Sequence, residues 1–66
     1  MWTVIYIAPS KEIAERYKKI LLEEGMLVQL RPLGSSHLGE HASVEILVPE
    51  SEAEEAHEIL TGVMGS

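Results

Sequence analysis

Sixty-six residues carrying eleven acidic side chains against five basic ones, a formal charge of −6, make a single small domain spanning 1–66. That charge balance opposes binding to nucleic acid and to anionic membrane surfaces, both of which select for lysine and arginine. The chain has no cysteine, which removes disulfides, thiolate zinc sites and a cysteine nucleophile. A domain of this size has little core with which to offset its ordering entropy, so oligomerisation is the expected remaining source of stability.

Met1 to Ala8 (MWTVIYIA) is β-branched and aromatic and is closed by Pro9, which predicts a first strand. It is too short to span a bilayer and lacks the basic start and cleavage site of a signal peptide, so a cytoplasmic protein is expected. Ser10 supplies an N-cap hydroxyl for a helix reaching about Glu24, with Ile13, Tyr17, Ile20 and Leu21 at helical spacing. Glu12 with Arg16 and Glu15 with Lys19 stand four residues apart in the favourable order, and Gly25 is placed to end the helix in the left-handed region.

Met26 to Arg31 reads as a second strand stopped by Pro32, and Gly34 to Ala42 (GSSHLGEHA) as a loop. Ser43 to Val48 reads as a third strand, again followed by proline. Ser51 and Glu54 have capping-box spacing for a second helix whose apolar positions are Ala53, Ala56, Ile59, Leu60 and Val63, with fraying expected from Gly62 to Ser66. A faint repeat aligns Val4–Pro9 with Val44–Pro49, Ile13 with Ala53 and Ile20 with Leu60. The expected fold is α+β and ferredoxin-like, βαββα, with a three-stranded sheet ordered 1-3-2 and both helices on one face. Strand 2 pairs with strand 3 as a hairpin, and strand 1 is expected beside strand 3 as a parallel neighbour.

Two helices cover one side of such a sheet, yet strand 1 is apolar on both sides. Either Ile5 and Ile7 face outward or, with the opposite parity, Trp2, Val4 and Tyr6 do, joined by Leu27 and Leu47. Strand 1 is also an edge strand with backbone groups free to pair. These residues form the candidate interface, by sheet packing or by strand pairing; the other reading is that a loop or the chain's own tail folds over them.

Chemistry is sparse. His37, Glu40 and His41 in the loop carry donors suited to zinc or nickel but fall short of a full ligand set. Solvated loop histidines are the competing reading. His57 reads as a boundary residue of the second helix, and Lys11, Lys18 and Lys19 lie on a solvated helix face that does not suit Schiff-base chemistry. There is no nucleophile elbow, phosphate loop or dinucleotide fingerprint, so no enzyme and no cofactor are expected.

With those residues laid out, the chain resembles a small prokaryotic family described as signal-transducing proteins of unknown function. The resemblance rests on MWTVIYIAPSKEIAERYKKILLEEG, LVQLRP and VEILVPESEAEEAHEIL. It implies a bacterial βαββα relative of the PII-type regulators, which self-associate and bind small ligands, with the loop 34–42 lying where those proteins carry a regulatory loop. This chain lacks their last strand and their phosphate-binding residues. Relatives labelled glutamate decarboxylase imply a pyridoxal-phosphate enzyme, but this length cannot supply a lysine pocket, a phosphate cradle and a ring-nitrogen partner together. The resulting expectation is a non-catalytic regulatory or adaptor module that self-associates and binds a protein or small ligand. The alternatives are an assembly unit forming open-ended polymers, and a metal or small-molecule binder at the loop.

Overall fold

The computed structural model describes residues 1–33 and 42–65. Strand β1 (Trp2–Ala8) leads through Pro9 and Ser10 into helix α1 (Lys11–Glu23), which is followed by β2 (Gln29–Pro32) and β3 (Val44–Pro49). A single 3₁₀ turn (Glu50–Glu52) then runs into helix α2 (Ala53–Met64). The sheet order is β1-β3-β2, as expected for the α+β βαββα architecture.

The direction of one pairing differs from expectation. Strand β3 is antiparallel to β1 as well as to β2, where a parallel β1–β3 pair was expected. The reason is topological. The helical crossover makes β1 and β2 parallel, and the β2–β3 connection reverses the chain and inserts β3 between them. Any strand so inserted must run against both neighbours. Parallel crossovers are therefore satisfied by β1 and β2, which do not touch.

Local signals account for α1. The Ser10 hydroxyl accepts a hydrogen bond from the Ile13 amide (3.3 Å), satisfying one of the amides a helix start leaves unpaired. At the other end Gly25 adopts φ 86°, a region costly for a residue with a Cβ. Its N–H donates to the Leu22 carbonyl, and the Met26 N–H donates to the Leu21 carbonyl. This is a Schellman motif, and its hydrophobic partners Leu21 and Met26 are both buried.

Helix α2 begins differently from its sequence signature. Ser51 lies inside the 3₁₀ turn instead of ahead of a helix, and no side chain caps the turn or the helix. Pairing of the Glu50 amide with the Met1 carbonyl (2.7 Å) carries the chain on from the sheet, and the 3₁₀ turn starts there, one residue ahead of Ser51. Glu52 instead accepts from the Leu27 amide (3.2 Å), tying the turn to the segment entering β2. The helix continues through Gly62 to Met64, past the position where fraying was expected.

The core is one layer between helices and sheet. Val44, Ile46 and Val48 of β3 meet Ala14 and Leu21 of α1 and Ala56 and Leu60 of α2, with Ala8 and Met26 completing the cluster. Tyr6 and Tyr17 stack edge to face, centroids 5.6 Å apart, between β1 and α1. The sequence repeat is only partly carried into space. Tyr6 with Ile46 and Ala8 with Val48 occupy matching inward positions, while Val4 is exposed and its counterpart Val44 is buried. In the helices the matched core residues are Leu21 with Leu60, one step off the Ile20–Leu60 alignment read from the sequence.

Candidate interaction face

The side of the sheet away from the helices is defined by alternation along each strand. In β3, Val44, Ile46 and Val48 point into the core, so Glu45, Leu47 and Pro49 point the other way. Approaching and along β2, Met26, Val28 and Leu30 pack inward, which turns Leu27, Gln29 and Arg31 outward.

Strand β1 resolves its two possible parities by using both. Val4 pairs with Leu47 and Tyr6 pairs with Ile46, so Ile5 is an extra residue with no partner in register: a β-bulge. Before the bulge, Trp2 and Val4 face outward opposite Pro49 and Leu47. After it, Tyr6 and Ala8 face inward opposite Ile46 and Val44, and Ile7 faces outward opposite Glu45. Ile5 and Tyr6 both pack against the helix-side core. Of the seven residues read from the sequence as interface, the structure therefore brings Trp2, Val4, Ile7, Leu27 and Leu47 to the open face and sends Ile5 and Tyr6 to the core.

The face has an apolar end and a polar end. Trp2 (45% exposed), Val4 (38%) and Leu27 (61%) gather with Pro49 around Leu47, which is only 6% exposed although it lies outside the helix-side core. Ile7 (51%) lies toward the other end, beside Glu45. Glu45 stands directly opposite Arg31 across β2 and β3, and the Arg31 Nε donates to the Glu45 carboxylate. Gln29, Pro49 and this ion pair are members of the face that the sequence did not single out. The signal that locates them is the β2–β3 register.

The three strands contain only these two charged residues, so the strands bring no net charge to the open face in a chain of net charge −6. Glu54, Glu55 and Glu58 belong to α2 on the other layer, and Glu50 and Glu52 to the 3₁₀ turn at the end of the sheet, where the Glu50 amide meets Met1 and the Glu52 carboxylate meets the Leu27 amide. Neither Glu12–Arg16 nor Glu15–Lys19 closes into an ion pair; among the described residues Arg31–Glu45 is the salt bridge formed.

The remaining chemical candidates can be placed. His57 is exposed on α2, its backbone carbonyl accepting from the Thr61 hydroxyl (2.8 Å). Lys11, Lys18 and Lys19 lie along α1. Among the described residues no polar or charged side chain is buried, and no group of three or more His, Asp or Glu is gathered as a metal site. His37, Glu40 and His41, like residues 34–41 of the expected loop, lie outside the described residues. No described helix is long and apolar enough to cross a membrane.

These features define a small α+β domain of βαββα build with helices on one face of the sheet and, among the described residues, none on the other. No family model, curated protein or solved structure matches the chain.

Proposed function

We propose that this protein is a non-catalytic regulatory or adaptor module that self-associates through the open face of its sheet, to which β1 contributes most. The observation that carries this reading is the exposed apolar cluster of Trp2, Val4 and Leu27 around Leu47, on a sheet whose strands carry one ion pair and no other charge. Antiparallel sheets that face water present a polar outer side. A contiguous exposed apolar patch on so small a domain marks an interaction site. A standard interface takes roughly 800 Å² from each partner, close to a fifth of the 4460 Å² surface of this chain. The open face is the broad surface available for it.

The absence of a catalytic role in this reading rests on composition and on the shallow setting of the polar groups. Regulation by such a module works through differential binding: a ligand or partner must favour one arrangement of the assembly over another. The resemblance to cytoplasmic PII-type signalling proteins supports the same reading and points to the 34–42 loop as the part offered to a protein or small ligand.

Light scattering after size exclusion, over a wide range of protein concentration, tests the reading. Species of defined mass above 7.3 kDa are expected. A clean monomer at the highest concentration would overturn self-association.

A further inference from the structure

The open face and the edge of β1 are two different ways for copies of this chain to meet, and charge placement separates them. Helix α2 packs over β1 and β3, toward the β1 edge, while α1 packs over all three strands. If two copies joined edge to edge through β1, their α2 helices would lie side by side, roughly 10 Å apart at their axes. Each brings Glu54, Glu55 and Glu58, together with Glu50 and Glu52 of the preceding turn, and no basic residue. Like charges at that spacing lie within about one Debye length at 0.1 M salt and repel.

The backbone also works against that edge. The bulge at Ile5 interrupts the regular pleat midway along β1, a device that blunts edge pairing. Joining β1 of one copy to β2 of the next fares little better, because β2 offers four residues and ends in Pro32, which has no N–H to donate. Neither edge arrangement covers Trp2, Val4 or Leu27.

Face-to-face packing meets each of these conditions. It removes the apolar cluster from water and keeps the Arg31–Glu45 pair at the rim, the usual distribution of apolar centre and polar edge. Sheets packed in this way lie about 10 Å apart. With one helix layer added on either side, the α2 helices become part of the two outer layers, their axes roughly 30 Å apart or about three Debye lengths at 0.1 M salt. A second copy suits the face because the strands of both bring apolar side chains and no net charge, whereas the helical layers of two −6 chains repel.

We infer that the partner of the open face is a second copy of this chain, packed sheet against sheet about a two-fold axis into a closed dimer with a helix–sheet–sheet–helix layering. This rests on the self-association reading and specifies its geometry.

The test uses the full chain and three observables. Trp2 is the sole tryptophan, so its emission reports burial of the face. Val4→Lys and Leu27→Lys place a charge on the face, and Leu27 lies outside any strand, so that variant leaves the pairing intact. The chain has no cysteine, so Glu55→Cys carries a single spin label on the exposed side of α2.

The expected results are a dimer whose Trp2 emission shifts to the blue as it forms, and a dissociation constant raised on the order of tenfold or more by either lysine. Circular dichroism should be unchanged, and the label–label distance should centre at roughly 40 Å, the 30 Å between helix axes plus a helix radius on either side. A dimer indifferent to both lysines, or one with labels in near contact, overturns the face-to-face geometry and leaves self-association standing. Large polydisperse species overturn the closed two-fold dimer in the same way. A monomer overturns both readings.

Discussion

Excising Ile5 should be tolerated, whereas excising Leu47 from the neighbouring strand β3 should unfold the protein. Leu47 and Ile46 are consecutive in β3, but their partners Val4 and Tyr6 are not. Removing Ile5 makes those partners consecutive and preserves every pair from Trp2↔Pro49 to Ala8↔Val44. The loss is confined to one partly buried isoleucine. Full burial of such a side chain stabilises by about 1.5–3 kcal/mol, so the cost is about 1 kcal/mol. Strand β3 has no extra residue against either neighbour. Without Leu47, either Val48 or the pair Ile46 and Val44, all buried against the helices, must swing to the open face. A chain of this length has about 3–10 kcal/mol of total stability, and losing those core contacts together with the register to both neighbours consumes most of it. Urea denaturation followed by circular dichroism measures both variants. A midpoint shift of about 1 kcal/mol for the Ile5 deletion beside an unfolded Leu47 deletion is expected. Equal damage from the two deletions would refute the bulge assignment.

Three further outcomes are expected. Ser10→Ala should cost about 1 kcal/mol because it removes the cap on the Ile13 amide, whereas Ser51→Ala, whose hydroxyl caps nothing, should stay within about 0.5 kcal/mol; thermal melts of the pair compare them directly. Gly25→Ala meets no atom within 4 Å of the added Cβ, so its cost is the backbone term alone, about 1–2 kcal/mol, and Gly25→Asn should recover part of it in the same melts. Leu60→Ala, at a fully buried site between α2 and the sheet, should cost about 2–5 kcal/mol, enough to leave much of the chain unfolded at 37 °C by circular dichroism.

How much was legible in the sequence depended on whether the deciding interaction was local. Helix α1 was readable at both ends because Ser10 and Gly25 act on backbone groups within a few residues of themselves. The start of α2 was not. Ser51 and Glu54 have the spacing of a capping box, but the 3₁₀ turn starts one residue ahead of Ser51, at Glu50, whose amide meets Met1, remote in sequence, and Glu52 is drawn to Leu27. Strand β3 announces its own parity, since Glu45 is its one charged residue and marks the side away from the core. Strand β1 has no such marker: every position except Thr3 is apolar, so its parity was open and the bulge could not be seen.

The sequence alone therefore determined the element types, their order, the sheet order and the presence of surplus apolar surface, because these follow from local propensity and from how many apolar residues one core can hold. Only the tertiary structure decided the direction of β1 against β3 and the assignment of Ile5 and Tyr6 to the core. It alone gathered Trp2, Val4 and Leu27 around Leu47 at one end of the open face and set Ile7 beside the Arg31–Glu45 pair at the other. The physical reason is the same in each case. A strand's orientation and facing are properties of its partner, and in this chain the partner of β1 lies on the far side of a helix, a second strand and a loop.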